Sequence, residues 1–251
     1  MRPVSIIPVS GMPEVRPGDD LVGLVLAALT RLGEVLRDDD VLSVAQKVVS
    51  KAEGRLRRLD DVTPGPEALR MAGEAPEKDA RVLQIVLDES SRVVRWEHGV
   101  LITETHHGFV CANAGVDRSN AGAADTVVLL PVDPDASATA LREALRARTG
   151  RTVGVVITDT FGRAWREGHV NVAIGIAGLP ALERYLGQLD PQGYELRVTE
   201  MAIADEVAAA SELVQRKLDR CPVAIVRGME PGGRSEPATT YVRPPERDLF
   251  R

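Results

Sequence analysis

Two short stretches carry the residue types that chemistry needs. In HHGFVCANAGVDRSN, residues 106–120, Asp117 and Asn120 follow an apolar run. In VVITDTFGRAWREG, residues 155–168, Asp159 and Thr160 follow another and precede Arg163 and Arg166. Carboxylate, amide and hydroxyl oxygens are hard donors. A Mg2+ or Mn2+ ion takes one or two carboxylates and fills its other positions with waters and substrate phosphates. Either pair alone is as often a turn closing on its own backbone. Their joint occurrence behind two apolar strands points towards metal. Arg163 and Arg166 can clamp an anionic substrate with forked hydrogen bonds, although exposed arginines after a turn are common.

A third stretch, QKVVSKAEGR at residues 46–55, offers Lys51 and Arg55 as partners for phosphate, with Ser50 adding a donor. A Lys and Arg cluster is more often a solvated face, so this signal is weak by itself. Neither the Gly-x4-Gly-Lys-Ser/Thr loop nor a Gly-x-Gly-x-x-Gly turn after a strand occurs, so any nucleotide is held without the usual fingerprints. His106 and His107 are adjacent in sequence and point to opposite faces of an extended chain, so at most one can enter a site; a structural role is expected for both. Neither Ser50 nor Cys111 has an evident base nearby, and a covalent nucleophile is not expected. Asp19, Asp20, Asp205 and Glu206 read as first-turn helix residues.

These residues need strands to present them. The pattern predicts a strand over 6–9, a turn at 10–13, a helix opened by Asp19 and Asp20 and closed by Gly33, and a strand over 41–45. Residues 60–76 read as a surface connection with one helical turn. A helix is expected within 77–87, a hairpin around His98 and Gly99, and a central strand at 109–112. Strand 126–130, helix 137–148 and strand 153–158 read as a βαβ unit, which would bring Asp133 and Asp159 out on one edge of a sheet. Further on come a strand at 170–176, a helix at 180–186, a strand at 196–199, a helix at 202–218 and a strand at 222–226. A Gly- and Pro-rich flexible tail, residues 228–251, ends the chain. The fold class expected is α/β, mixed α+β, and neither a P-loop nor a classic Rossmann domain.

Composition narrows the function. At 251 residues with 44% hydrophobic content the chain can bury its own core. Two cysteines without metal-ligand spacing suggest a reducing cytoplasm and no disulfide. The N-terminus lacks a signal-peptide core, and the longest apolar window, residues 21–29, is too short to cross a bilayer, so no membrane partner is expected. A net charge of -6 and 3% aromatic residues argue against nucleic acid.

Taken together, PVSGMPEV, SKAEGR, HHGFVCANAGVDRSN, LLPVDPDASA, VVITDTFGRAWREG, VTEMAIADEVAAA and PVAIVRG resemble the coenzyme F420-0:L-glutamate ligase family, also called F420:gamma-glutamyl ligase, over nearly the whole chain and in the family's order. The resemblance implies one ligase domain over residues 1–251, with a mixed α/β fold that dimerises. It also implies an activity: glutamate joined to the deazaflavin precursor F420-0, using GTP and divalent metal, Mg2+ or Mn2+ and two per site, with K+ as an accessory ion. Matched to the family's motifs, Asp117 and Asp159 hold one metal and Thr160 contributes to a second. Lys51 and Asn120 contact GTP, as do the loop of Met12, Pro13, Glu14 and Val15 and the segment 214–221. Lys51, Asp117 and Asp159 carry the catalysis. The chain departs from the family in two places: relatives usually have glycine in the loop that here reads VQRKLDRC, and Gln46, a further expected nucleotide contact, stands where serine or threonine is common. Two other functions use the same residues. One is a metal-dependent phosphohydrolase in which water ends the reaction; the other is a noncatalytic nucleotide-binding domain.

Overall fold

The computed structural model describes residues 3–119, 121, 125–229 and 234–248. β1 (Ser5–Pro8) is followed by helix α1 (Leu21–Leu32). Asp20 caps α1 by accepting from the Gly23 amide. Gly33 ends it in the left-handed region, donating its N–H to the carbonyls of Leu29 and Thr30. β2 (Val41–Ala45) then runs without a loop into α2 (Gln46–Ala52). A smaller region follows: β3 (Leu56–Arg58), α3 (Pro66–Glu74), α4 (Ala80–Asp88), the hairpin of β4 (Ser90–Glu97) and β5 (Val100–Thr105), β6 (Val110–Ala112) and β7 (Thr126–Val128). The chain returns through α5 (Pro134–Thr149), the long hairpin of β8 (Gly154–Arg163) and β9 (Arg166–Ala177), and the short strands β10 (Leu182–Arg184) and β11 (Glu200–Ala202). It ends in α6 (Ile203–Gln215) and β12 (Val223–Arg227).

The main sheet has the order β1-β12-β2-β8-β9, with β2 and β8 parallel and every other pair antiparallel. Successive residues of a strand face opposite sides, and Val41, Leu42, Ser43 and Val44 are all buried, so both faces of the sheet are covered. Leu21, Val22 and Val25 of α1 and Leu141 and Leu145 of α5 pack on the side of Leu42, Val44 and Val155, while α6 lies across β1, β12, β8 and β9. The start of α5 presses on β9 at Gly175, where an added Cβ would stand 2.3 Å from the Pro134 carbonyl oxygen. Only glycine admits that approach.

Several expectations are corrected. The parallel crossover exists, but its first strand is β2. β7, expected as that strand, pairs with β3 in a separate two-stranded sheet. Periodicity reveals that a segment is extended, not which neighbour it bonds. The expected central strand at 109–112 is a three-residue edge of the β4-β5-β6 sheet. Residues 66–74 form a nine-residue helix started by Pro66 and held by Ala68 and Met71 packing on Leu83 and Leu101, not one turn in a surface connection. Residues 180–186 are not a helix: Leu182–Arg184 pairs with Ala202–Glu200, so the pairing also falls later than the strand expected at 196–199. Seven residues are too few for apolar spacing to separate helix from strand. Within the expected flexible tail, Ala238 is fully buried and its N–H donates to Asp135 Oδ1 at 3.0 Å, while Tyr241 Oη accepts from the Ala204 amide. Residues 249–251 lie outside the described residues. Among the described residues no helix is long and apolar enough to cross a membrane.

Candidate active site

The parallel pairing of β2 and β8 builds the site. Ala45 lies opposite Thr158 in that register, so the next residue on each strand, Gln46 and Asp159, leaves the sheet at the same place. Strand ends of parallel pairs are where open α/β sheets usually bind ligands. Here β8 does not stop, contrary to the expected end at 158. It continues to Arg163 as one arm of a hairpin with β9, and Asp159 is therefore a mid-strand residue opposite Val172.

Asp117 arrives from the smaller region. Its backbone forms an antiparallel bridge with Val128, the amide of each donating to the carbonyl of the other at 3.0 and 2.8 Å. Asp117 Oδ1 accepts from the Ser119 amide at 2.6 Å, and its Oδ2 lies 2.6 Å from Lys47 Nζ. Lys47 Nζ also donates to Ser119 Oγ at 2.8 Å. Lys47, on the first turn of α2, is thus the link between the two carboxylates.

The two acids are tuned apart. Burial pushes Asp159 up to about 6; the Thr160 amide and Lys47 pull the other way, Asp117 adds a further push upward, and the Gln46 amide adds a last, weaker downward pull. Burial alone would raise Asp117 too, but the Lys47 ion pair and the Ser119 hydrogen bonds outweigh it and hold this carboxyl below its ordinary value. That Asp117 and Asp159 sense each other, and that both sense Lys47, places them in one electrostatic unit. Cys111 belongs to it as well: burial, helped by the charge of Asp159 and opposed by the Gly115 amide, pushes its thiol up to about 12. It is therefore a thiol at neutral pH and no nucleophile.

Thr160, exposed, donates from Oγ1 to Asn171 Oδ1 at 2.7 Å, and Asn171 Nδ2 donates to Glu212 Oε2 at 3.0 Å. Lys51, 5% exposed, pairs with Glu14, which is otherwise turned to solvent. Of the remaining residues in that loop, Val15 is buried in the main core, Met12 packs against it and Pro13 is exposed. Gln46 is 1% exposed; its Oε1 accepts from Ser50 Oγ at 2.8 Å, which leaves its Nε2 as the end that acts on Asp159. Asn120 lies outside the described residues. Arg163 and Arg166 sit at the hairpin turn, on the order of 13 Å along the strand from Asp159. The Arg163 guanidinium is engaged there by the Glu167 carbonyl. The histidines are structural: the His106 ring bonds the Asp88 carbonyl at 2.9 Å, while that of His107 bonds the Pro131 carbonyl at 2.9 Å and stacks on Phe109.

In the segment 214–221, α6 stops at Gln215, whose Nε2 donates to the carbonyls of Ser43 and Pro222. Arg216 and Arg220 both adopt φ of 50°, the left-handed region that glycine enters without cost. Sequence reasoning missed Lys47, Asn171 and Glu212. Lys47 had a signal, since Lys47 and Lys51 are spaced one helical turn apart; Asn171 and Glu212 had none.

Among the described residues no group of three or more His, Cys, Asp or Glu side chains is arranged to hold a metal. A pair of carboxylates nonetheless suits Mg2+ or Mn2+, which keep several positions for water and phosphate, while Thr160, the next residue of β8, turns its side chain to the opposite face of the strand from Asp159. The mutual repulsion of Asp117 and Asp159 also fits a ligand arriving between them.

Oxygen donors and lysines gathered at the edge of a mixed α/β frame define a site suited to polyanion chemistry. The chain belongs to the F420-0:Gamma-glutamyl ligase family, whose profile matches residues 11–228. It is 44% identical over 251 residues to the coenzyme F420:L-glutamate ligase of Methanothermobacter thermautotrophicus, covering 99% of both chains. The protein of that name from Methanopyrus kandleri is 46% identical over 253 residues, covering 98% of this chain and 97% of the relative. The one from Archaeoglobus fulgidus is 40% identical over 249 residues, covering 99% and 96%.

Proposed function

We propose that the protein joins L-glutamate to F420-0 at the expense of GTP, through an acyl phosphate. Family membership supports the ligase activity. The observation that carries the mechanism is the convergence of Asp117 and Asp159, from separate parts of the chain, on Lys47. A carboxylate is a poor electrophile. One of its oxygens therefore attacks the terminal phosphorus of GTP, GDP leaves, and the glutamate amine then attacks the activated carbonyl, releasing phosphate.

In this reading Asp117 and Asp159 hold one Mg2+ or Mn2+ and Thr160 contributes to a second, and the ions would neutralise triphosphate charge when bound. Lys51 exchanges its contact with Glu14 for a phosphate oxygen, and Lys47 keeps Asp117 ionised and oriented. Gln46, Asn120 and the loop Met12 to Val15 complete the nucleotide contacts, while Arg163 and Arg166 meet the acidic substrate from the hairpin turn. K+ serves as an accessory ion. The reading includes a homodimer, for which the exposed apolar Leu186, Leu189 and Val198 between β10 and β11 supply a surface. It includes a cytoplasmic setting, which suits the free buried Cys111 and Cys221.

The test is mass spectrometry of F420-0 incubated with the protein, GTP, Mn2+ and glutamate. A product heavier by one glutamyl residue is expected. GTP consumption without that product would replace the ligase with a phosphohydrolase, and GTP binding without turnover would leave a noncatalytic domain.

A further inference from the structure

Strand alternation puts Asp159, Phe161 and Arg163 on one face of β8, opposite the face of Thr158 and Thr160. The smaller region covers part of that face: the Phe161 ring meets that of Phe109 edge-on, with centroids 6.5 Å apart. Arg163 is paired with Arg166, and between them the chain turns through Ala164 and Trp165. One track therefore leads from the acid at Asp159, past an aromatic ring, to two guanidinium groups and an indole at the hairpin tip.

Trp165 is an unfavourable residue for that turn. Its φ of 58° lies in the left-handed region, which glycine or asparagine enters far more readily than a bulky side chain. At 78% exposed it is the most solvent-facing aromatic side chain among the described residues, and it adds little to the core. Strain and exposure at one position point to a contact with something outside the chain. An indole stacks on flat fused rings, and a guanidinium beside it binds anionic groups. A flat ring system with an acidic tail offers both. Since the tip is on the order of 13 Å along the strand from Asp159, the ring and the reacting carboxylate must lie at opposite ends of an extended tail.

We propose that Trp165 is the stacking platform for the deazaflavin ring of F420-0, and that Arg163 holds the tail between that ring and the carboxylate activated near Asp159. This rests on the ligase reading above and deepens it, because it fixes which way the acidic substrate lies.

The experiment measures initial rates of glutamyl product by mass spectrometry with the full chain at varied F420-0 and GTP, alongside melting and sedimentation of the same samples. Trp165→Ala is expected to raise KM for F420-0 on the order of tenfold, as the loss of an aromatic stack does elsewhere, with KM for GTP, melting and oligomeric state unchanged. Trp165→Phe, which keeps an aromatic face, is expected to stay within about threefold of the wild type. In Trp96→Phe, where Trp165 is the one remaining tryptophan, F420-0 is expected to quench its emission. An unchanged KM in Trp165→Ala, a Trp165→Phe variant as weak as Trp165→Ala, or unquenched emission overturns the platform. So does a raised KM that comes with a change of oligomeric state, which would assign Trp165 to a contact between subunits. No glutamyl product from the wild type overturns the ligase reading beneath; product from the wild type with an unchanged KM in Trp165→Ala overturns the platform alone.

Discussion

Lys47 Nζ lies 2.6 Å from Asp117 Oδ2, and its charge also reaches Asp159, which it pulls down against the push of burial. One ammonium thus holds two acids in different states: Asp117 below its ordinary value and Asp159 at about 6. Lys47→Met removes the downward pull on both. In the metal-free protein, Asp159 is expected to titrate above 6, and Asp117 to move up from its depressed position. Carboxyl carbon shifts followed by NMR against pH check this, and an unmoved Asp159 would sever the link.

The same shift makes Asp159 a liability to the fold. Its folded value, about 6, exceeds the ordinary 3.8, so the folded chain holds the proton more tightly than the unfolded one. Stability from that proton is fully present below about pH 3.8 and lost as pH rises through about 6. Asp159→Asn, neutral at every pH, is expected to be more stable than the metal-free wild type at pH 8 by on the order of 1–2 kcal/mol, after discounting for solvent at this half-buried site. The difference should vanish near pH 4. Thermal melts at both pH values test it, and glutamate addition by the variant should be lost.

Lys51 is buried and held by an exposed partner. Replacing Lys51 with Met removes a charge aimed at the proposed phosphate site without opening a cavity. The expected result is a fall of roughly 100-fold in kcat/KM for GTP, with little change in melting. Steady-state kinetics with varied GTP and thermal melts of the same samples decide both.

Arg216 ends α6 with φ 50° and ψ 146°, a combination strained for any side chain. Its guanidinium is exposed and only 3.6 Å from Asp219, a contact worth little in water. Arg216→Gly is expected to stabilise the fold by up to roughly 1 kcal/mol, raising Tm by about 2–4 °C. Calorimetry checks it; a lower Tm would show that Arg216 makes a contribution its geometry does not reveal.

The parts of this architecture written locally were legible. Asp20 and Gly33 bracket α1 in the sequence as they do in the structure, and the hairpin at His98 and Gly99 follows from its turn residues. What needed distant partners was not. β7 has the composition of a sheet strand, yet its hydrogen bonds go to β3, and Leu182–Arg184 is extended because Glu200–Ala202 lies beside it. Asp117 and Asp159 stood out because oxygen donors after apolar strands are chemically conspicuous. Lys47 did not, because a lysine announces no partner. Asn171 and Glu212 became visible only once β9 and α6 were seen to meet at Thr160.

Ala45 and Thr158 are neighbours in the parallel pair, yet more than a hundred residues of chain separate them, including the whole smaller region that delivers Asp117. Closing so long a loop costs entropy that only the finished sheet returns. The step that brings Gln46 and Lys47 against Asp159 is therefore expected late in folding. Asp117, Asp159 and Lys47 thus form one charged unit only when the whole polypeptide has closed on itself.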